Sequence, residues 1–343
     1  MDFDVRTVAP KVSVCLLTYN HAPHIRECLD SILMQETNFP FEICIGEDGS
    51  TDGTREICVE YAEKHPERIQ LIFRSRSDPE REAYAAQGNY NYVKTLKVCR
   101  GKYFADVDGD DAWLDPLKLQ KQFDVIESNP SLCLVHSDCA VYDEYTDSII
   151  SRHIQRDRNI IHVVDSDSSR FMYDVLTSHY KIMTCSVFTR SSAVMAVIDE
   201  APGLFREYAN GDVPLWTELT RYGSFAYIDE PLSIYRVLAE SATHSKDSLK
   251  RLGYYNRNED LKLYLAKKYD LPSNEIRRNK IKVCNRLAMV SGDDVEIRKL
   301  YREDRASFPL RERMLYWLAR VAVLRQVLCG IYGFISCRRT GRY

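Results

Sequence analysis

Long uncharged apolar runs are absent from this 343-residue sequence. A membrane-spanning helix needs about 20 consecutive apolar residues, so no span is predicted. The first residues also lack a basic segment followed by an apolar one, which is the pattern of a secretory signal. A strong charge of either sign is missing as well, because 47 Lys and Arg balance 50 Asp and Glu to a net charge of −3. We therefore do not expect nucleic acid to be the main ligand.

Paired cysteine motifs are also missing. The 11 cysteines are scattered, no Cys-x-x-Cys occurs, and none is grouped with histidine at zinc-finger spacing. Cys15, Cys44 and Cys133 lie in apolar runs, where a cysteine acts as a small apolar side chain. An odd and dispersed set of thiols argues against a disulfide framework. The sequence therefore predicts a reducing, cytoplasmic environment.

The first hundred residues do contain an alternation of short apolar strands and amphipathic helices. Strands are predicted at 12–17, 41–46, 69–73 and 103–107. This alternation predicts right-handed crossovers and a parallel sheet. Polar segments follow three of the strands, at 18–20, 47–48 and 108–111. Because ligands bind at the carboxyl ends of parallel strands, we expect these three segments to share one crevice.

Four aspartates fall within six positions at the end of the last of these strands: Asp106, Asp108, Asp110 and Asp111. Carboxylates this close repel one another unless a cation neutralises them. Carboxylate oxygens are hard ligands that bind Mn²⁺ or Mg²⁺ well, and such an ion in turn binds a diphosphate. The segment therefore predicts an enzyme that acts on a nucleotide-linked substrate.

Other interpretations of the acidic segment are open. An EF-hand loop is excluded, because the positions that need Gly and Glu hold Asp111 and Leu117. A haloacid dehalogenase-like phosphatase would use Asp106 as its nucleophile, although Asp110 stands where a threonine is expected. A solvated acidic turn and an inactive sugar-nucleotide-binding protein are the remaining alternatives.

Three motifs in order resemble the family 2 glycosyltransferases of the GT-A fold, over roughly residues 11–240. The first strand ends in Thr-Tyr-Asn at 18–20, the second leads into Glu-Asp-Gly-Ser-Thr-Asp-Gly-Thr at 47–54, and the aspartates at 108–111 precede Trp113 and Pro-Leu-Lys-Leu. The resemblance implies an α/β fold in which a Rossmann-like nucleotide-binding half merges with an acceptor-binding half. It also implies transfer of a sugar from a nucleotide donor to an acceptor hydroxyl with inversion.

The resemblance implies roles for individual residues as well. Asp108 and Asp110 would hold Mn²⁺ or Mg²⁺, and Asp212 would be the catalytic base, with the N-cap of a helix at 214–222 as its alternative role. Tyr90 stands where many members carry an arginine, so either Lys94 or Arg74 is expected to substitute, or the donor preference is expected to differ. The residues implied to bind the donor, a UDP-sugar, are Thr18, Tyr19, Asn20, Glu47, Asp48, Asn91, Asp108, Gly109 and Arg236. Those implied to support the site are Asp111, Trp113 and Trp216.

The sequence pattern of the second half of the chain indicates where the domains divide. We expect a catalytic domain at 1–248, with the donor side at about 11–111 and the acceptor side at about 112–248, followed by a helical region at 249–343. The segment 314–343 is apolar with interspersed arginines, which suits the interface of an anionic membrane, or a helix packed on the catalytic domain or on a second subunit. The expected acceptor is then a surface or lipid-linked glycan at the cytoplasmic face of the inner membrane.

Overall fold

A computed structural model describes residues 4, 7–154, 163–164, 169–208, 211–238, 247–303, 305 and 308–318. Packing divides the chain into two units. One comprises Met1–Asp143 and Asp147–Arg236, and the other comprises Glu144–Thr146 and Val237–Tyr343. The predicted domain limits at residues 111 and 248 stay predictions.

The first part of the first unit alternates strand and helix. Three of its four strands are buried along almost their whole length, as expected for parallel strands with both faces covered, and the strand Ile69–Phe73 is partly exposed. Its first helix buries Ile25, Cys28, Leu29 and Ile32, which recur at helical spacing. The elements are β1 (Val12–Thr18), α1 (Ile25–Leu33), β2 (Phe41–Glu47), α2 (Thr54–Lys64), β3 (Ile69–Phe73), a 3₁₀ turn (Pro79–Ala83), α3 (Gln87–Leu96) and β4 (Tyr103–Asp108).

The strand β1 lies between β2 and β4 and runs parallel to both, and β2 pairs in parallel with β3. Leu17 is in register with Gly46 on one side and with Asp108 on the other. The carboxyl ends of the three strands therefore meet at one edge of the sheet. This arrangement brings the three polar segments together, as the sequence predicts.

The second part of the first unit continues the sheet in mixed directions. Its elements are β5 (Ala112–Trp113), α4 (Lys118–Ser128), β6 (Leu132–Asp143), β7 (Ser148–Ile150), β8 (Val163–Val164), α5 (Ser169–Leu176), a 3₁₀ turn (Thr184–Ser186), β9 (Val187–Arg190), α6 (Ser191–Glu200), α7 (Pro202–Arg206), α8 (Asp212–Leu219) and β10 (Ser224–Val237). In the described residues the strand order is β3-β2-β1-β4-β9-β6-β10-β5. The pairs β4 with β9 and β5 with β10 are antiparallel. The short β5 therefore fixes the chain that follows the acidic segment beside β10.

Gly46 marks a close approach between β2 and α3. A Cβ atom added there would lie 2.2 Å from Thr95 Oγ1 and 2.5 Å from Asn91 Oδ1. Gly46→Ala is therefore expected to lower the free energy of unfolding by about 1–3 kcal/mol, because the overpacked side chains must shift. Urea denaturation measures the change. Gly88→Ala is the control, since its added Cβ meets no atom within 4 Å, and equal stability of the two variants would contradict the prediction.

The second unit contains helices α9 (Ser248–Lys268), α10 (Asn274–Ser291), α11 (Val295–Glu303) and α12 (Leu310–Leu318). Ile281, Cys284, Ile297, Phe308 and Tyr316 form its buried cluster. The predicted helical C-terminal region is thus confirmed as far as residue 318. Most of the predicted membrane or subunit contact at 314–343 lies outside the described residues.

Candidate active site

Hydrogen bonds tie together the loops that follow β1 and β2. Asn20 Oδ1 accepts from the Thr51 N–H at 2.9 Å, and the Asn20 N–H donates to Ser50 Oγ at 3.0 Å. Asn20 has a φ of 56°, in the left-handed region that asparagine tolerates. Thr18 is buried below the loops, and its carbonyl accepts from the Asp48 N–H at 3.0 Å. These contacts shape the loops, and donor contacts of Thr18 and Asn20 stay predictions.

Glu47 is fully buried, and both of its carboxylate oxygens are bound within the protein. Oε1 accepts from the Ser50 N–H at 2.6 Å, and Oε2 accepts from Arg55 Nε at 2.6 Å. The carboxylate therefore orders the loop at 48–54. A direct contact of Glu47 with the donor stays a prediction.

Asp48 is buried and faces two arginines from the loop after β3. Its Oδ1 pairs with Arg81, and its Oδ2 lies 3.1 Å from Arg76 Nη2. The Arg76 guanidinium also lies 3.8 Å over the ring of Tyr19, which is exposed. The sequence analysis missed Arg76 and Arg81. The only available signal was the density of arginine in the loop, which does not reveal what these side chains contact.

Arg81 packs on Tyr90, the residue that replaces the arginine expected from the resemblance. The Arg81 guanidinium lies 4.4 Å over the Tyr90 ring and is buried. Its Nε donates to the Ser75 carbonyl at 2.7 Å, and its Nη1 donates to Gln87 Oε1 at 2.8 Å. Lys94, one of the two expected substitutes, pairs with Glu80 instead.

Arg74, the other expected substitute, has unused donors. Within the described residues its Nε and Nη2 are buried and have no hydrogen-bond partner. Burial lowers the pKa of Arg74, while nearby Tyr90 and Asp48 raise it. Unpaired buried N–H groups cost free energy. Arg74 therefore keeps two buried donors without an acceptor in the described part of the chain.

The acidic segment lies at the end of β4. Burial raises the pKa of Asp108 well above its ordinary value, and the carboxylates of Asp110 and Asp212 raise it further. Burial and then Asp110 likewise raise the pKa of Asp111. In the part of the chain that the structure describes, no group of three or more His, Cys, Asp or Glu side chains is arranged to hold a metal. The carboxylates of Asp108 and Asp110 fit a divalent ion by their oxygen chemistry and because a cation offsets their repulsion.

Asp106 lies below this segment and is only 3% exposed. Its Oδ2 accepts from the Tyr92 hydroxyl at 2.8 Å, and burial raises its pKa to about 7. A phosphatase nucleophile must reach its substrate as an ionised carboxylate. The position of Asp106 therefore argues against the phosphatase alternative.

Arg236 on β10 binds the acidic segment through hydrogen bonds. Its backbone N–H donates to Asp111 Oδ1 at 2.8 Å, and its Nη1 donates to the Asp110 carbonyl at 2.8 Å. Its Nη2 lies 2.5 Å from Glu27 Oε1 on α1. Asp111 thus supports the turn from within the protein. Contact of Arg236 with a donor diphosphate stays a prediction.

His21 is a residue of the site that the sequence analysis missed. Its Nε2 lies 3.9 Å from Asp110 Oδ1, and its Nδ1 lies 3.4 Å from Thr18 Oγ1. A Cβ atom on Gly109 would lie 2.7 Å from Thr18 Oγ1 and 2.9 Å from His21 Nδ1. Gly109 therefore allows the acidic segment and the β1 loop to touch. This proximity depends on the folded loop and leaves no pattern in the sequence.

Asp212 is the first residue of α8 and is accessible to solvent. The N-cap is Gly211, and no side chain caps the helix, so the alternative role of Asp212 as an N-cap is wrong. Asp212 Oδ2 accepts from Thr184 Oγ1 at 2.7 Å. Desolvation by the surrounding protein raises the pKa of Asp212, and this hydrogen bond lowers it. Its charge raises the pKa of both Asp106 and Asp108, so Asp212 lies near the acidic segment.

The remaining predicted residues are buried around the site. Asn91 Nδ2 donates to the Gly46 carbonyl at 2.7 Å, which fixes α3 to the end of β2. Trp113 packs under Lys118, whose Nζ lies 4.3 Å from the ring centroid. Trp216 is buried in α8. These contacts are consistent with support of the fold around the site, and their functional roles stay predictions.

The chain matches a known protein family. The sequence profile of Glycosyl transferase family 2 matches residues 13–194, more than half of the chain. The chain belongs to glycosyl transferase family 2. This assignment confirms the family expected from the three motifs.

Individual relatives cover parts of this family 2 chain. The uncharacterised Mycobacterium tuberculosis protein Rv1520 is 27% identical over 219 residues, which are 58% of this chain and 60% of Rv1520. The match therefore spans less than two thirds of that relative. The Bacillus subtilis protein named "Putative teichuronic acid biosynthesis glycosyltransferase TuaG" is 36% identical over 115 residues, 34% of this chain and 41% of TuaG.

Solved structures support the fold of this family 2 protein. The crystal structure of S. aureus TarS 1–349 in complex with UDP-GlcNAc aligns with a TM-score of 0.55 at 16% identity, covering 97% of this chain and 93% of that one. The α/β GT-A fold with a helical C-terminal region is thus confirmed. Among the helices of the described ranges, none is long and apolar enough to cross a membrane.

Proposed function

We propose that this protein transfers a sugar from a nucleoside diphosphate donor to an acceptor hydroxyl, with inversion at the sugar C1. The observation that carries the proposal is the meeting of Asp48, the acidic segment at 108–111 and Asp212 at the carboxyl edge of one sheet. Ligands of open α/β sheets bind at this edge. Membership in glycosyl transferase family 2 supports the proposal.

Asp108 and Asp110 would hold a divalent ion, Mn²⁺ or Mg²⁺, against the donor diphosphate. When bound, the ion would supply positive charge that stabilises the departing phosphate. The chain would contribute Arg236, which already holds the Asp110 carbonyl and the Asp111 carboxylate, so the acidic turn keeps its shape. This arrangement requires no general acid from the protein.

A UDP-sugar is the proposed donor, because Asp48 and Arg74 offer hydrogen-bonding groups that complement uracil. Asp48 offers carboxylate oxygens, each able to accept more than one hydrogen bond, and Arg74 offers two unused donors beside it. The uracil ring has an N–H group flanked by carbonyl oxygens. The N–H complements the Asp48 carboxylate, and a carbonyl oxygen complements the Arg74 donors. Cytosine has a ring acceptor in place of the N–H and does not complement the Asp48 carboxylate. The S. aureus TarS structure, which contains UDP-GlcNAc, makes that nucleotide sugar a suitable probe.

Asp48→Asn is expected to weaken UDP binding about 10- to 100-fold, because a hydrogen bond to a charged group contributes about 1.5–3 kcal/mol. Titration calorimetry with UDP and CDP in Mn²⁺ measures the effect. Wild type should prefer UDP, and the variant should lose most of that preference. Asp124→Asn, an exposed carboxylate on α4, is the matched control. Equal UDP affinity of Asp48→Asn and wild type would show that Asp48 does not contact the base.

Asp212 would take the proton of the acceptor hydroxyl while the hydroxyl oxygen attacks C1 of the donor sugar. The new bond joins that oxygen to C1, the bond from C1 to the phosphate oxygen breaks, and the electron pair leaves with UDP. The proton then resides on the Asp212 carboxyl. The raised pKa makes Asp212 a stronger base than an aspartate with an ordinary pKa.

Thr184→Val is expected to move the acid limb of the kcat profile upward by about one pH unit. The Thr184 hydroxyl donates to the ionised Asp212 and so favours its charged form. Without that bond the pKa rises, and the base is protonated at a higher pH. UDP release from UDP-GlcNAc across pH 5–9 gives the profile. Thr184→Ser keeps the hydroxyl and should retain the wild-type limb, whereas a limb unchanged in Thr184→Val would argue against Asp212 as the base.

The acceptor is proposed to be a surface or lipid-linked glycan at the cytoplasmic face of the inner membrane. The name of TuaG refers to teichuronic acid biosynthesis, which supports a surface polysaccharide as the acceptor class. Leu310, Met314 and Trp317 are exposed and lie at spacings of four and three residues, on one face of α12. This face suits a peripheral membrane contact or a second copy of the chain.

A further inference from the structure

The chain that leads into Asp212 is held by a side chain from the donor half. Asn89 lies on α3 and is 7% exposed. Its Nδ2 donates to the Phe205 carbonyl at 3.1 Å and to the Tyr208 carbonyl at 2.9 Å. Both protons of this carboxamide are therefore used on the chain that leads to α8, one on Phe205 within α7 and one on Tyr208 just after it. That segment carries the backbone to Asp212.

The carboxamide oxygen of Asn89 also abuts the residue immediately before Asp212. A Cβ atom added to Gly211 would lie 2.8 Å from Asn89 Oδ1. A backbone hydrogen bond also joins the chain just before α3 to the end of α7, since the Ala85 N–H donates to the Arg206 carbonyl at 2.6 Å. Asn89 therefore touches the approach to Asp212 both through its donors and through its oxygen.

Helix α3 connects this approach with the donor half of the site. Two residues beyond Asn89, Asn91 Nδ2 donates to the Gly46 carbonyl at the end of β2. The next residue, Tyr92, donates its hydroxyl to Asp106 on β4. One short helix thus contacts the ends of two strands of the donor site and the segment that leads to Asp212.

We propose that Asn89 is a positioning residue that sets the distance between Asp212 and the sugar C1. This role rests on the proposed function, because it requires Asp212 to act as the base. A base displaced by about 1 Å loses the aligned approach of the acceptor, which costs about 10²-fold in rate. Asn89 touches neither Asp48 nor the acidic segment through any contact named above. Donor binding should therefore survive its replacement.

The first test compares Asn89→Ala and Asn89→Asp with wild type. UDP release from UDP-GlcNAc and UDP-glucose in Mn²⁺, with water as the acceptor, gives kcat, and titration calorimetry gives the Kd of UDP. We expect kcat to fall about 10- to 100-fold in both variants, with the Kd of UDP changed less than about twofold. Asn89→Asp keeps the size of the side chain and removes its two donors, so an equal loss assigns the effect to the hydrogen bonds.

Val93→Ala is the matched control for a purely structural role. Val93 is 4% exposed on the same helix, and its truncation should lower stability without changing kcat. Gly211→Ala tests the contact from the other side. In wild type the new methyl group meets Asn89 Oδ1, and in Asn89→Ala that atom is gone. The loss of kcat caused by Gly211→Ala should therefore be smaller in the Asn89→Ala background.

The outcomes separate this proposal from the proposed function. Wild-type kcat in Asn89→Ala, together with an inactive Asp212→Asn, would overturn the positioning role and leave the transferase function intact. An equal kcat loss in Val93→Ala would also overturn it, because any weakening of α3 would then suffice. If wild type releases no UDP from either donor, the proposed function fails and the role of Asn89 fails with it.

Discussion

Asp212→Asn is expected to lower kcat for donor turnover about 10³-fold, because an amide cannot accept the proton of the attacking hydroxyl and general base catalysis contributes about 10²- to 10⁴-fold. The variant is nearly isosteric, and Thr184 Oγ1 can still donate to the amide oxygen. The Kd of UDP should stay within about twofold of wild type. UDP release from UDP-GlcNAc in Mn²⁺ measures kcat, and titration calorimetry measures the Kd of UDP.

Asp199→Asn is the control for this variant, since Asp199 is an exposed carboxylate on α6. It should retain wild-type kcat. Full activity in Asp212→Asn would move the base to another residue. A wild-type protein that binds UDP with Mn²⁺ and never turns over a UDP-sugar would instead favour the inactive sugar-nucleotide-binding alternative.

The donor edge of the sheet could be predicted because its signals are local. Short apolar runs identify β1, β2 and β4, and the residue type changes to polar where each strand ends. Parallel pairing then follows from the intervening helices, so the meeting of Thr18, Glu47 and Asp108 needs no further information. The observed register confirms this part of the prediction.

The contacts that side chains make with distant segments of the chain could not be predicted in the same way. Arg81 reaches Asp48 across 33 positions of sequence, and Asn89 reaches Tyr208 across 119. Neither pairing has a periodicity or a motif, because each depends on the conformation of an irregular segment: the turn that carries Arg81 and the chain at Tyr208. His21 is a similar case, since its approach to Asp110 depends on the turn after β1.

The role of Asp212 could not be decided from the sequence either. An aspartate shortly before an apolar helix predicts either an N-cap or a functional carboxylate, and sequence alone leaves both open. The structure starts the helix at Asp212 and directs its Oδ2 to Thr184, which excludes the cap. The partner that decides the question lies 28 positions away, in the 3₁₀ turn Thr184–Ser186.

Asp110→Asn is expected to abolish the metal dependence of nucleotide binding and to lower kcat about 10³-fold. The ion that Asp108 and Asp110 are proposed to hold would stabilise the leaving diphosphate by several kcal/mol, and each 1.36 kcal/mol is tenfold in rate. Thermal unfolding of wild type with UDP should shift upward when Mn²⁺ is added, and the variant should show little of that shift. Asp124→Asn should respond as wild type does.

The variant also tests whether lost activity reflects lost structure. Replacing Asp110 by a neutral amide removes one negative charge from a segment in which neighbouring carboxylates repel one another, so without divalent ions the variant should unfold at the wild-type temperature or above it. Unchanged or higher stability combined with lost Mn²⁺ response would locate the ion at the acidic segment. An Mn²⁺ shift equal to that of wild type would place the ion elsewhere, and the proposed role of Asp108 and Asp110 in holding the diphosphate would then fail even if the protein transfers sugar.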